Sequence, residues 1–467
     1  MSVRDSAMEI GTGGLEVPPT VLDAPRPISR RRGRAALGGL LLSGLLIALC
    51  SAHTPSFLPE TIRPAPSSLA GVFAPLGLDL HVGGAIALLV VMFASYAAVT
   101  RLVGDLSPTA VIVAIVVLDV LVLLGPPLIS TDIFSYQAYA RMGADYGVNP
   151  YLNGPHAIAL DHIFPYVGAD WSYIPSAYGP VFTVFSYALA GLSIAASVVA
   201  YKAIAVVAAL GIVALIWRCA RLRRLDPTRA IALVGLNPLF VVYGIGGGHN
   251  DVLMLLCMTA ACWAFLEGRR RGSGALTLLA IGVKLTAGLM LPFAIAAEGP
   301  SRPREHGSAL PEIARRRRGL LAGAGAGLVA IAILSVVVFG GGSVLHVLAT
   351  VRQSQSEGDW KSIPGAIGDR LGLPTVGSIV GDVLAAAFVV LTCWLLRRVW
   401  RGQLDWIEGV GWATLAMLIA SSSFLPWYVT WLLPFAALGH SRRLRGWTLA
   451  MSGIVLGIQL LGYIPHG

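Results

Sequence analysis

Charge is what this sequence has least of. Only 12% of its 467 residues are Asp, Glu, Lys or Arg, whereas 56% are hydrophobic, and the mean hydropathy is +0.74. A soluble globular domain carries about 25% charged residues, so a water-soluble enzyme or binding module is excluded. Lysine is scarcest: Lys202, Lys284 and Lys361 stand against many arginines, a bias that points to a GC-rich bacterial genome. Cysteine is scarce too. Cys50, Cys219, Cys257, Cys262 and Cys393 lie in or at the end of apolar runs without CxxC spacing, and read as small core residues. There is no Gly-Lys-Ser/Thr phosphate loop, so no nucleotide site is expected. No tandem repeat and no clear inverted halves are visible, which argues against the repeat-built transporters.

What is present is a series of apolar runs near the bilayer-spanning length of about 20 residues, and these make the chain an all-α polytopic membrane protein. The net charge is +10. Its arginines sit in short blocks between the runs, the positive-inside pattern of cytoplasmic loops rather than a nucleic-acid patch. Residues 1–34 are expected to form a disordered cytoplasmic tail, and 35–467 a single membrane domain of roughly 11 to 13 helices. The first helix is read as uncleaved, with its N-terminus in the cytoplasm. Two runs conflict with the arginine pattern. If Gly179–Ser197 and Val198–Arg218 both cross, Arg218, Arg221, Arg223 and Arg224 fall outside; if the first is interfacial or re-entrant, they fall inside. A single crossing by Ala275–Ala297 misplaces Arg315–Arg318 in the same way, and a hairpin bent near Lys284 restores them. Two outer loops remain, 129–180 and 340–374. The proline-rich loop 53–80 and the basic insert 301–318 have no assigned role.

The loop 129–180 is dense in aromatics, including Phe134, Tyr136, Tyr139, Tyr146, Tyr151, Tyr166, Trp171, Tyr173 and Tyr178, with few charges. Rings that stack on pyranose faces, beside a few carboxylates that bind hydroxyls, are a sugar site. Asp132 heads Asp-Ile-Phe-Ser-Tyr at the membrane face. It reads either as a helix N-cap or as a partly desolvated general base, and a cap would itself place such a base. Glycosyl transfer from a phosphate leaving group needs only that one carboxylate, because the phosphate departs unprotonated, unlike the two-acid scheme of glycoside hydrolysis. Arg141 either pairs with Asp145 four residues on or faces a lipid phosphate.

Lys284 is the lone charge within its apolar run, too central to snorkel unless the run bends. In a bent hairpin its ammonium faces an outer cavity, where it suits a lipid phosphate that gains charge as its bond breaks. Gly246-Gly247-Gly248-His249-Asn250-Asp251 forms an outer turn whose glycines let a ligand approach. His249, Asn250 and Asp251 read as sugar or phosphate contacts. His249 and Asp251 alone do not make a metal site, and no metal or cofactor is expected. Pro426-Trp427-Tyr428 is either an aromatic belt or a stacking platform for the donor. Tyr151, Tyr178 and Trp360, the last within Asp359-Trp360-Lys361, are acceptor candidates. Asp119 is intramembrane with no role beyond pairing or packing.

Taken in chain order, Asp-Ile-Phe-Ser-Tyr at 132–136, Asn149-Pro150-Tyr151, Tyr178-Gly179-Pro180, Asn237-Pro238, Gly-Gly-His-Asn-Asp at 247–251, Lys284 and Pro426-Trp427-Tyr428 resemble the polyprenol-phosphate-mannose-dependent α-1,6-mannosyltransferases of actinobacteria. These are GT-C class integral-membrane glycosyltransferases, and the similarity covers about residues 35–463. The resemblance implies a GT-C-like bundle with interfacial helices in an outer loop. It implies Asp132 as the catalytic residue, a polyprenyl-phosphate-linked mannose as donor, and a mannan of lipomannan or lipoarabinomannan type as acceptor. Lys284, Arg141, Tyr136, His249, Asn250, Asp251, Trp427 and Tyr428 are then assigned to the donor. The setting expected is the outer face of a bacterial plasma membrane. Transfer of another lipid-linked sugar, and a transporter or flippase of such lipids, are the rival readings.

Overall fold

A computed structural model describes residues 27–299, 310–357 and 361–462, so residues 1–26, 300–309, 358–360 and 463–467 lie outside it. The described residues are helical, with no strand among them. Helix α1 (Pro27–Cys50) begins within the expected tail, so Pro27–Arg34 are its first turns rather than part of a disordered segment. Helices α2 (His81–Leu102), α3 (Pro108–Leu124) and α4 (Asp132–Ala144) follow. Among the described residues six helices are long and apolar enough to cross a membrane, or seven if the bent pair Pro227–Gly235 and Leu239–Ile245 is one span. Shorter apolar helices, such as Asn250–Leu266 and Trp406–Ala420, fill the space between them.

The first arginine conflict is resolved by two unequal helices. Helix α5 (Pro180–Tyr187) is only 8 residues long, and α6 (Ile194–Leu222) runs for 29. The short element ends before Ala188 instead of reaching Ser197. Next come α7 (Pro227–Gly235), a π-helical segment Leu239–Ile245, and α8 (Asn250–Leu266). Asn237 builds the bend ahead of the π segment. Its Oδ1 accepts the N–H groups of Leu239 and Phe240, while its Nδ2 donates to Tyr96 and Ser452. The Asn-Pro pair is therefore a cap that bends the chain.

The second conflict is resolved by a break. Helix α9 (Arg270–Val283) stops at Lys284, whose backbone is extended (φ −153°, ψ 129°), and a 3₁₀ turn Leu285–Leu289 leads into α10 (Met290–Ala296). Arg270 at the start of this unit meets Glu298 just past its end, at 2.5 Å. Both ends therefore lie together, and the unit is a hairpin with Lys284 far from its clasp.

Helices α11 (Leu310–Phe339), α12 (His346–Glu357), α13 (Ile363–Leu371), α14 (Pro374–Trp400) and α15 (Trp406–Ala420) lead to a 3₁₀ segment Pro426–Leu432, then α16 (Leu433–Leu438) and α17 (Arg442–Leu461). Arg315–Arg318, assigned above to a basic insert, are turns of α11.

One end of the bundle gathers Arg223, Arg270 and Arg317. Arg223 binds Asp405 at 3.0 Å and the Leu438 carbonyl, Arg270 holds Glu298, and Arg317 lies over Trp400. Helix α8 ends at this side, beside Arg270, whose guanidinium donates to the Phe265 carbonyl. Its N-terminus, with Asn250 and Asp251, lies 17 residues away, about 25 Å along the axis. That opposite end carries the site.

Candidate active site

Asp132 occupies the first turn of α4. Its own N–H donates to Ser130 Oγ at 3.2 Å, and Thr131, not Asp132, is the N-cap residue. The carboxylate therefore sits at the helix N-terminus, where the backbone dipole favours an anion, without being consumed as a cap. The approach to it is strained: Ile129 has φ +67°, a left-handed conformation that costs a β-branched residue about 1–3 kcal/mol. The segment is pinned from three sides. Lys202 Nζ donates to the carbonyls of Gly125 and Pro126 at 2.6 and 2.8 Å, Leu128 N–H donates to Gly246 O, and Ile129 N–H to Phe57 O.

The glycine turn at 246–248 is buried against this segment rather than open to a ligand. Gly248 has φ +65°, and a Cβ there would stand 2.7 Å from Ile133 Cδ1. The turn thus allows α8 to start directly behind α4. Tyr136 fixes the register, accepting the Asn250 N–H and donating to Asn250 Oδ1. Tyr178-Gly179-Pro180 serves a similar close approach. A Cβ on Gly179 would meet the Gly282 carbonyl at 2.2 Å, and Gly179 N–H donates to Val283 O. This docks Tyr178 beside the break that presents Lys284.

Lys284 and Asp251 form a pair, with Nζ 2.8 and 3.0 Å from the two carboxylate oxygens. Trp431 Nε1 donates to the same carboxylate at 2.6 Å. The ammonium also lies over the rings of Tyr428 and Trp431, at 4.7 and 5.2 Å. Asp251, assigned above to sugar or phosphate, is therefore the counter-ion of Lys284. With two N–H groups on Asp251, the ammonium retains one more donor.

Asp132 and Lys284 both line one cavity of about 360 Å³. Its lining includes the aromatic Trp171, Tyr178, Tyr428 and Trp431 and the apolar Leu285, Phe388, Met417 and Leu418. His249 and Trp427 stack on each other just behind Asp132, and Asn250 is buried beside them. Among the described residues no three His, Cys, Asp or Glu side chains converge as for a metal ion.

Several assigned residues do not line the cavity: Tyr136, His249, Asn250, Asp251 and Trp427 are buried outside its lining, and three others fall farther away or outside the described residues. Arg141 binds neither Asp145 nor the cavity: it pairs with Asp161 at 3.1 Å and donates to Leu192 O. Burial alone would raise the Asp161 pKa, but the Ile163 N–H, Tyr146 and Arg141 outweigh it and hold it below the usual carboxylate value. This is a clasp for the loop. Tyr151 is fully buried against Phe339 and bonds to Tyr178 O and Thr183, so it is packing and not an acceptor contact. Trp360 lies outside the described residues. Trp431 and Phe388 line the cavity although no sequence motif marked them, and Trp171 stood out only as one aromatic of a crowded loop. For Trp431 a signal existed, four residues after Trp427. Asp119 is buried on α3, and neither of its oxygens has a hydrogen-bond partner among the described residues.

Residues 37–298 match the family profile of the Alpha-(1->6)-mannopyranosyltransferase N-terminal domain. The chain belongs to this family. Residues 177–425 also match Glycosyltransferase family 87. Alpha-(1->6)-mannopyranosyltransferase A of Mycobacterium tuberculosis is 29% identical over 351 residues, covering 69% of this chain and 64% of the relative. Alpha-(1->6)-mannopyranosyltransferase B of Corynebacterium glutamicum is 29% identical over 363 residues, covering 68% of this chain and 56% of the relative. The chain thus spans somewhat under two thirds of these relatives' length. The family match reaches from α1 to the Lys284 hairpin, and the second match adds α14, α15 and the approach to Pro426. Together they embrace the lining residues of the cavity up to Leu425, and Tyr428 and Trp431 follow just beyond.

Proposed function

We propose that this membrane protein is an inverting mannosyltransferase that moves mannose from a polyprenyl-phosphate-linked donor to a mannan acceptor, forming an α-1,6 linkage. The observation that carries this reading is the sharing of one cavity by Asp132 and the Asp251-held Lys284, lined by both aromatic and apolar side chains. The aromatic lining suits sugar faces and the apolar lining suits the first isoprene units of the donor. Asp132 removes the proton of the acceptor hydroxyl, whose oxygen attacks the anomeric carbon. The polyprenyl phosphate leaves with the bonding pair, and the remaining N–H of Lys284 receives its growing charge. Inversion to an α product requires a β-linked donor.

The arginine-rich end of the bundle supports a cytoplasmic assignment for that end by the positive-inside rule. The cavity at the opposite end then opens on the outer face of the plasma membrane, where a lipid-linked sugar can be used without a nucleotide. The test is transfer of radiolabelled mannose from polyprenyl-phosphate-mannose to a short mannan by the purified protein. Asp132→Asn is expected to lower turnover by at least about 10²–10³-fold; full transfer by that variant overturns the assignment of the base. Absence of transfer by the wild-type protein, with uptake of the lipid-linked sugar into vesicles instead, would favour a flippase.

A further inference from the structure

His249 is unusual for a buried histidine. Its side chain is 0% exposed, its ring lies against the Trp427 indole with centroids 3.8 Å apart, and neither ring nitrogen has an aligned hydrogen bond. Buried polar atoms are almost always paired. The polar group its ring does approach is Asp132: Nδ1 lies 3.3 Å from Oδ2. Asp132 thus has one side toward the cavity and one toward an imidazole that has no hydrogen-bond partner among the described residues. Such a contact is within reach of a hydrogen bond, and catalytic contacts commonly tighten only when substrate binds.

We infer that His249 is a positioning residue for Asp132: it orients the carboxylate toward the acceptor and takes on, through it, the proton that the acceptor hydroxyl gives up. The inference rests on the reading of Asp132 as the base. The bond formed joins the acceptor oxygen to the anomeric carbon, and the bond broken joins that carbon to the phosphate oxygen, which leaves with the pair. The proton moves from the acceptor oxygen to Asp132 and on to Nδ1. It returns by the same route to water when product leaves. The Trp427 ring face stabilises the resulting imidazolium.

The surrounding charges favour this. Asp251, two residues along on α8, is neutralised by Lys284 from the hairpin break. Tyr136 from α4 and Tyr428 from the 3₁₀ segment are neutral phenols, and the Lys202 ammonium is turned to the Gly125 and Pro126 carbonyls. Asp132 is left as the carboxylate that an imidazolium at 249 would face. An imidazole that already carries a proton cannot take up another, so acid is expected to lower turnover.

The experiment is the pH dependence of mannose transfer by purified wild-type, His249→Gln, Trp427→Leu and Asp132→Asn proteins. His249→Gln is expected to lower kcat by about 10²-fold with the donor KM within about twofold. It should also move the acid limb of kcat to lower pH by about one unit or more. A kcat within threefold of wild type, or a reduced kcat with the acid limb unmoved, overturns the inference. If His249→Gln does not elute as a folded protein, Trp427→Leu carries the test: it weakens support for the imidazolium and must shift the same limb downward, and an unchanged limb overturns the inference. Activity retained by Asp132→Asn strikes at the reading of the base itself. Loss with Asp132→Asn and none with His249→Gln strikes at this inference alone.

Discussion

Lys284 shows how much a side chain's meaning depends on its neighbour. From the sequence it is a lone cation in an apolar run; in the fold it is half of an ion pair whose other half is almost wholly buried. Removing one partner of such a pair leaves an uncompensated charge and costs about 3–5 kcal/mol, whereas replacing both is far milder. Lys284→Met is therefore expected to lower the melting temperature more than the double variant Lys284→Met/Asp251→Asn, whose amide oxygen can still accept from Trp431. Both should lose transfer, since neither keeps the ammonium at the cavity. Thermal unfolding of the two purified variants checks the order, and an unchanged melting temperature for Lys284→Met would mean that the pair is solvated. Arg141 gives the complementary lesson. A cation on an outer helix invites a place in the donor site, yet Asp161, twenty residues away in a loop without regular pattern, claims it.

At the scale of elements, the site is made of interruptions. The chain from α3 to α4 is strained at Ile129, α8 begins from a glycine turn, α9 breaks at Lys284, and Pro426 opens a 3₁₀ segment. Non-helical backbone at membrane depth persists only where protein buries it or it lines a cavity, and here both apply. Lys202 holds the first interruption. Lys202→Met would leave the buried Pro126 carbonyl unpaired, at about 1–3 kcal/mol, and the half-buried Gly125 carbonyl without its partner. Amide exchange across 125–135 is expected to accelerate, with transfer reduced about tenfold because Asp132 is less well held. Protection unchanged from wild type would show that the Leu128 and Ile129 hydrogen bonds suffice. The Lys284 break was legible in the sequence because a charge in the middle of an apolar run is costly in lipid unless the run bends toward a partner or a cavity. The role of the Gly246–Gly248 turn was not: glycines that admit a ligand and glycines that admit a neighbouring helix look alike until the neighbour is known.

For the whole molecule, the polarity of the bundle is the main result. Arg223, Arg270 and Arg317 and their partners collect at one end, and Asp132, His249, Asp251 and Lys284 at the other. In intact cells, with the native cysteines replaced, Ser423→Cys is expected to react with a membrane-impermeant maleimide added outside. Arg401→Cys should react only after the membrane is opened. The reverse pattern would turn the protein over and end the outer-face reading.

The sequence by itself determined the membrane class, the family resemblance, the candidacy of Asp132 and the need for two incomplete crossings, because hydropathy, charge counts and motif order are properties of the chain read locally. Only the tertiary structure decided that Asp251 belongs to Lys284, that Arg141 and Tyr151 serve the scaffold, and that His249 lies behind the carboxylate. Those are pairings between residues tens to hundreds of positions apart, and a buried polar group's partner is set by which helices come within about 3 Å of it, a distance that no local pattern encodes.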